Sequence, residues 1–406
     1  MTFTIGIMNL TLGQVVAYLY ASLFGEPPAT LSKTRVQASQ ELYNFTAKFS
    51  RIANIAYCVN APVTPLRTDF TCGESCRYFP NMTLDSVFGG DFYSTSITGY
   101  IAYDHLNKEK YVVIRGTFSI PDAVTDIQFQ QSPWLVELPK HLIPTQDDMK
   151  QRWAVRPDLE VENKGLDNLK ERALVVEDPR LIPIKTSECK GCMIHDGFAK
   201  AFNETMVNAA PQFEKFLTNH TDYKMYVTGH SLGAAQALLF ATHFKLLGHD
   251  PTMINFGQPR VGNSEFANYI NQLWFNDTGL EVNDKRRNYR LTHWNDIFVG
   301  LPDWSNYTHA IGEVYIDQES VYPALDKVSV CEGGENEACH RGTFNLWSRI
   351  DLLQNHLAYI YYIGYCALNI GRRNVLAMPK YHGNNSYKYA TEPGYTGPGR
   401  TLVPTN

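Results

Sequence analysis

The residues with the clearest chemical potential are Gly229-His230-Ser231-Leu232-Gly233. A serine hydroxyl is a weak nucleophile until a neighbouring base takes its proton. Glycines two residues before and after a serine fit a sharp strand-to-helix turn that lifts the hydroxyl above a sheet edge. Side chains at those two positions would collide with neighbouring backbone. The flanks agree: Lys224–Thr228 reads as a short β-rich strand, and Gly233–Leu247 as an apolar helix. Ala234 and Ala235 would let that helix pack closely on a sheet, and its N-terminus favours negative charge developing at Ser231. The plainer reading is a Gly-Ser turn that merely caps a helix. Strand, elbow and small-residue helix together favour a nucleophile.

Such a serine needs a base, and the base needs a carboxylate to orient it. On this kind of scaffold they follow in the order Ser, Asp or Glu, His. Downstream acids include Asp277, Asp284, Asp296, Asp303, Asp317 and Asp351, and downstream histidines His243, His249, His293, His309, His340, His356 and His382. Order alone does not choose among them. Asp296 is favoured because it directly follows a strand-like run, where a strand's C-terminal end would place it beside the elbow. His356 is favoured because it follows a polar turn and opens the apolar stretch Leu357–Ile363.

The elements that must position these groups alternate between strand and helix, which predicts an α/β fold with a central, mostly parallel sheet flanked by helices. Residues 36–57 read as a helix, with Leu42, Phe45, Phe49, Ile52 and Ile55 near helical spacing. Residues 98–103 and 111–115 read as strands joined by a polar turn. Residues 196–218 read as helical, and Met253–Phe256 and Tyr289–His293 as strands. Residues 131–188 are rich in proline, charge and amide, and read as a surface insertion within a single domain spanning 36–366. Residues 367–406 read as an exposed or disordered tail.

Composition sets the compartment and excludes some partners. The 406 residues are 44% hydrophobic and carry a net charge of −5, enough for a large core and no basic footprint for nucleic acid. Residues 1–25 lack any charged side chain and read as a secretory leader, with a membrane anchor as the rival. Sequons stand at Asn44, Asn81, Asn203, Asn219, Asn276, Asn306 and Asn384. That exceeds the roughly three expected by chance and favours a glycosylated, secreted or cell-surface-associated chain. Eight cysteines, an even number, fit disulfides in an oxidising compartment. Cys189-x-x-Cys192 lacks the second pair or histidines that a zinc site would need. No Walker loop, dinucleotide fingerprint or zinc-protease motif is present, so neither metal nor organic cofactor is expected.

Several blocks together resemble the fungal class 3 triacylglycerol lipases, and within them the secreted yeast lipases of the Yarrowia type. They are Tyr111–Ile120, His195–Phe198, Val227–Leu239, Gly257–Asn263, Thr292–Pro302 and Asn355–Tyr359. The resemblance spans roughly residues 40–130 and 189–366. It implies the α/β-hydrolase fold with Ser231, Asp296 and His356 as the catalytic triad. It implies an oxyanion hole made by Thr117 and the backbone N–H of Leu232. It also implies the disulfides Cys58–Cys366, Cys72–Cys76, Cys189–Cys192 and Cys331–Cys339, which use every cysteine. The first would close a very long loop, worth on the order of 4–5 kcal/mol in the chain-entropy model.

The resemblance further implies a helical lid, and the sequence offers one independently. Ser119-Ile120-Pro121-Asp122 is a helix-start pattern. Ile120, Ala123, Val124 and Ile127 then share an apolar face opposite Asp122, Thr125 and Asp126. The expected activity is hydrolysis of acylglycerols by a monomer in transient contact with a lipid–water interface. The rivals are a soluble carboxylic or feruloyl-type esterase on the same fold, and a catalytically silent secreted binding protein.

Overall fold

The computed structural model describes residues 31–90, 97–116, 130–139, 181–185, 189–275, 287–302, 306–319, 321–343, 352–364 and 366, with short strands at 2–5 and 8–11. Strands β1 (Thr2–Ile5) and β2 (Met8–Thr11) pair as an antiparallel hairpin within the stretch read as a leader. Most of that stretch, Thr117, the lid segment, residues 140–180 and the tail from 367 lie outside the described residues.

The chain then runs through β3 (Arg35–Gln37), α1 (Gln40–Ile55), β4 (Met82–Phe88), β5 (Gly99–Asp104), β6 (Glu109–Ile114), β7 (Gln131–Pro133), β8 (Leu135–Pro139) and β9 (Leu181–Lys185). It continues through β10 (Met193–His195), α2 (Asp196–Asn208), α3 (Ala210–Thr218), β11 (Lys224–His230), α4 (Leu232–Leu246), β12 (Thr252–Phe256), α5 (Ser264–Trp274) and β13 (Asn288–His293). Strands β14 (Glu313–Ile316) and β15 (Val328–Cys331), a one-turn helix at His340–Thr343, helix α6 (Leu352–Leu357), and strands β16 (Ala358–Tyr359) and β17 (Tyr361–Tyr362) follow.

Among the described residues one sheet has nine strands, in the order β3-β15-β14-β13-β12-β11-β6-β5-β4. Its centre, β6 and β11 to β14, is parallel, and the outer strands pair antiparallel. Parallel strands covered on both faces are hydrophobic without alternation. In β6 the Tyr111 and Val113 side chains enter the layer beneath α1, and Val112 and Ile114 enter the layer beneath α2 to α5. Helix α4 is buried from Gly233 to Phe244, which explains why its sequence lacks a polar face.

Several boundaries differ from the sequence expectation, each for a local reason. Helix α1 starts at Gln40 because the Ser39 hydroxyl caps the Leu42 N–H at 3.1 Å, while Val36 pairs with Val330 at the sheet edge. The helical stretch expected over 196–218 consists of two helices. Pro211 has no N–H to continue the first, so the chain breaks at Ala209 and restarts with proline in the opening turn. The segment expected to begin the surface insertion is paired: β7 joins β10, and β8 joins β9. Trp134 is buried against Phe202 and Phe266, and its backbone N–H donates to Cys192 O at 3.0 Å. The four disulfides pair the cysteines as the resemblance implied.

Arg260, on the loop between β12 and α5, holds down the loop after β13. Its guanidinium donates to Gly300 O, to Pro302 O at 2.9 Å, and to both Glu335 carboxylate oxygens at 2.7 and 3.2 Å. Burial works against the Glu335 charge, but Arg260 outweighs it and holds the carboxyl well below the usual range. A carboxyl depressed in the folded state contributes stability above its unfolded value, about 4.3, and loses it as pH falls through the folded value. Replacing Glu335 by Gln is expected to cost about 3 kcal/mol at pH 7, since it removes the negative charge that balances the buried Arg260. It should also flatten the acid-side fall of unfolding free energy. Urea denaturation at pH 7 and below pH 4 measures both, and an unchanged pH slope would count against the pair.

Candidate active site

The elbow is built by sterics. Strand β11 ends at His230, helix α4 starts at Leu232, and Ser231 between them adopts φ 59°, ψ −131°. That region costs a non-glycine residue about 1–3 kcal/mol and persists only when its surroundings enforce it. The Ser231 N–H donates to Phe256 O at 2.9 Å, and Ser231 O accepts from Ala234 N at 2.9 Å. A Cβ on Gly229 would sit 2.2 Å from Gly233 O, and one on Gly233 would sit 2.4 Å from Ile114 O. Both positions are therefore closed to any side chain. Gly116, at the end of β6, packs equally tightly: a Cβ there would lie 2.7 Å from His230 O and 2.8 Å from Ser231 Cβ. Thr117, outside the described residues, is the next residue in the chain.

Asp296 stands in the turn after β13 and is fully buried. Its carboxylate accepts from Phe298 N at 3.0 Å, from the Tyr359 hydroxyl, and from His356 Nδ1 at 3.0 and 2.9 Å. Its backbone carbonyl accepts from His340 Nε2 at 2.7 Å. Burial alone would raise the carboxyl. The adjacent His356 and the Tyr359 hydroxyl outweigh that and lower it to about 2.

His356 lies in the last turn of α6 and is fully buried, its ring 4.0 Å from that of Phe298. Gly257 (φ 60°) gives it room, since a Cβ there would come within 3.0 Å of His356 Cε1. A carboxylate can only accept, so Nδ1 carries the proton in the neutral ring and Nε2 presents a lone pair. Nε2 is buried without a hydrogen-bond partner among the described residues. A buried acceptor left open in this way is what a serine general base requires.

The structure thus joins Asp296 to His356, and it ties the His356 segment to the elbow through His230, whose Nε2 lies 2.7 Å from His356 O. Leu232 opens α4, so by helix geometry its N–H has no intrahelical acceptor. Ser119, Ile120, Ala123, Val124 and Ile127 lie outside the described residues. Tyr359, His340 and Tyr57 also touch this site, and no motif marks His340 or Tyr57. Tyr359 falls inside the Asn355–Tyr359 block, three residues after His356, which was its one available signal. Glu313, Cys331 and Cys339 cluster closely enough for a metal, but both sulfurs are in a disulfide and Thr292 and Arg290 attend the carboxylate.

Residues 111–305 match the family model described as Lipase (class 3). The secreted mono- and diacylglycerol lipase 1 of Fusarium solani is 33% identical over 342 residues, covering 81% of this chain and 79% of that protein. The chain belongs to the class 3 lipase family. This lipase, a carboxylic ester hydrolase, is also 27% identical to Lipase A of Sodiomyces alcalophilus, over 79% of its own length and 74% of that protein's. The crystal structure of the Lip2 lipase from Yarrowia lipolytica is similar at 33% identity and a TM-score of 0.65, covering 82% of this chain and 98% of that one.

Tyr359→Phe removes one donor from a buried carboxylate and keeps the ring. Hydrogen bonds to charged groups contribute about 1.5–3 kcal/mol, so kcat on a soluble ester should fall roughly tenfold or more with KM little changed. Steady-state kinetics on the purified variant checks this, and an unaltered kcat would remove Tyr359 from the site.

Proposed function

We propose that this lipase hydrolyses acylglycerols, triacylglycerols included, outside the cell by two-step acyl transfer at Ser231. The observation that carries the reading is the buried Asp296–His356 pair, with Nδ1 engaged and Nε2 open among the described residues.

In the first step His356 Nε2 takes the Ser231 hydroxyl proton as Oγ bonds to the ester carbonyl carbon. The carbonyl electron pair moves to oxygen, where the Leu232 N–H and Thr117 stabilise the oxyanion. Asp296 orients the ring and stabilises its charged form. The tetrahedral species collapses, the ester C–O bond breaks, and the proton on Nε2 passes to the departing glyceride oxygen. Water then repeats the cycle on the acyl-enzyme, its proton passing through His356 to Ser231 as the fatty acid leaves.

An extracellular setting is supported by relatives named as secreted. Four disulfides suit an oxidising compartment, and the sequon residues Asn81, Asn219 and Asn306 are exposed. The segment from Ser119 to Ile127 acts in this reading as a lid whose apolar face covers the acyl groove in water and meets lipid at an interface.

Two assays test the reading. Mono-, di- and triacylglycerols of graded chain length, below and above their solubility limits, should be hydrolysed with a rise in rate at the emulsion, and Ser231→Ala should abolish it. Loss of any rise at the interface would favour a soluble esterase, and no hydrolysis at all a silent binding protein. Replacing Val124 and Ile127 by Asp should impair hydrolysis of emulsified ester far more than of a short soluble ester. Equal impairment of both would remove the mobile lid from the account.

A further inference from the structure

One fully buried side chain beside the site has a hydrogen-bonding pattern that leaves it no freedom. His230 precedes the nucleophile, and each ring nitrogen has a hydrogen-bond partner: Nε2 lies 2.7 Å from the backbone oxygen of His356, and Nδ1 lies 2.6 Å from the Tyr57 hydroxyl. A carbonyl only accepts, so Nε2 carries the hydrogen. Nδ1 of the neutral ring is then an acceptor, and the Tyr57 hydroxyl must be its donor. Burial, reinforced by the His356 ring 4.6 Å away, holds His230 neutral by lowering it to about 3. Tyr57 is itself 2% exposed, so water does not compete for this contact.

The accepting carbonyl belongs to His356, in the final turn of α6. The last carbonyls of a helix have no acceptor role within it, so an external donor is needed when they are buried. His230 supplies that donor from the residue adjacent to Ser231. The contact links two segments 126 residues apart.

We infer that His230 is a positioning residue: its Nε2–H fixes the backbone of His356 and so the placement of the His356 imidazole relative to Ser231, while Tyr57 holds the tautomer that permits this donation. The inference rests on the Ser231–Asp296–His356 reading. It differs from simple ring packing, although His230 also meets the Tyr57 and Tyr359 rings at 5.8 Å.

Paired substitutions separate the two roles. His230→Phe keeps a ring and removes the donor. His230→Gln loses the ring but carries an amide nitrogen at the reach of Nε2. With a short soluble ester, His230→Phe should lower kcat about 30-fold with KM within about twofold, since a misplaced base affects the transition state and not substrate binding. His230→Gln should recover kcat to within about threefold of the parent enzyme, because it restores the one interaction that matters. Tyr57→Phe should lower kcat about fivefold with KM within about twofold, because it frees the tautomer. The reverse order, with Gln as slow as Phe or slower, would overturn the inference, as would a parent-like kcat in His230→Phe. If His230→Phe does not fold, Tyr57→Phe decides alone, and a parent-like kcat there overturns the inference. Ser231→Ala is run alongside. Residual hydrolysis in that variant would defeat the triad itself, whereas an inactive Ser231→Ala beside a fully active His230→Phe would defeat only the role of His230.

Discussion

The hydrogen bond from His356 Nδ1 to the Asp296 carboxylate is the interaction on which the rest of the site depends. It sets the tautomer of the base, and so decides which nitrogen faces the nucleophile. It exists only because a fully buried carboxylate stays ionised, against a desolvation penalty that can reach several kcal/mol. The surroundings offset that penalty with donors from separate parts of the chain: Phe298 N, the Tyr359 hydroxyl and His356 itself. His340 secures the same residue through its backbone oxygen.

The second constraint is conformational. Ser231 occupies a left-handed backbone region that no serine adopts freely. The fold enforces it by register: β11 lies between β6 and β12, and the Ser231 N–H closes onto Phe256 O at the end of β12. Strain at the nucleophile is thus stored in the parallel centre of the sheet, where pairing is continuous on both sides. The acid loop is anchored with comparable care, since Arg260 grips Gly300, Pro302 and Glu335 at once.

What could be read from sequence followed how local the physics is. The elbow was legible because its requirement falls within five residues, and the Cβ clashes at Gly229 and Gly233 are its direct cause. Asp296 was favoured by the strand-like run before it, but only the family resemblance chose it among the downstream acids. His356 was not separable from six other histidines by spacing, because its partner lies 60 residues away; the family resemblance made that choice. Tyr57 and His230 meet across 173 residues, and no pattern in either segment announces the contact. Strands β14 and β15, interior to the sheet, went unread because each has only four residues. The break at Pro211 was visible in principle, and the amphipathic pattern on both sides concealed it. Residues 131–134 looked like a surface excursion because their composition is polar, yet Trp134 anchors them in the core.

The most direct test is the rate of covalent labelling by an alkyl phosphonate, with the adduct located by peptide mass spectrometry. In the parent enzyme the phosphoryl group should be found on Ser231. With Asp296→Asn the same adduct should form about 10³–10⁴-fold more slowly in a protein of unchanged circular dichroism, since the imidazole then loses its enforced tautomer. An adduct on another residue, or parent-like labelling of Asp296→Asn, would contradict the account.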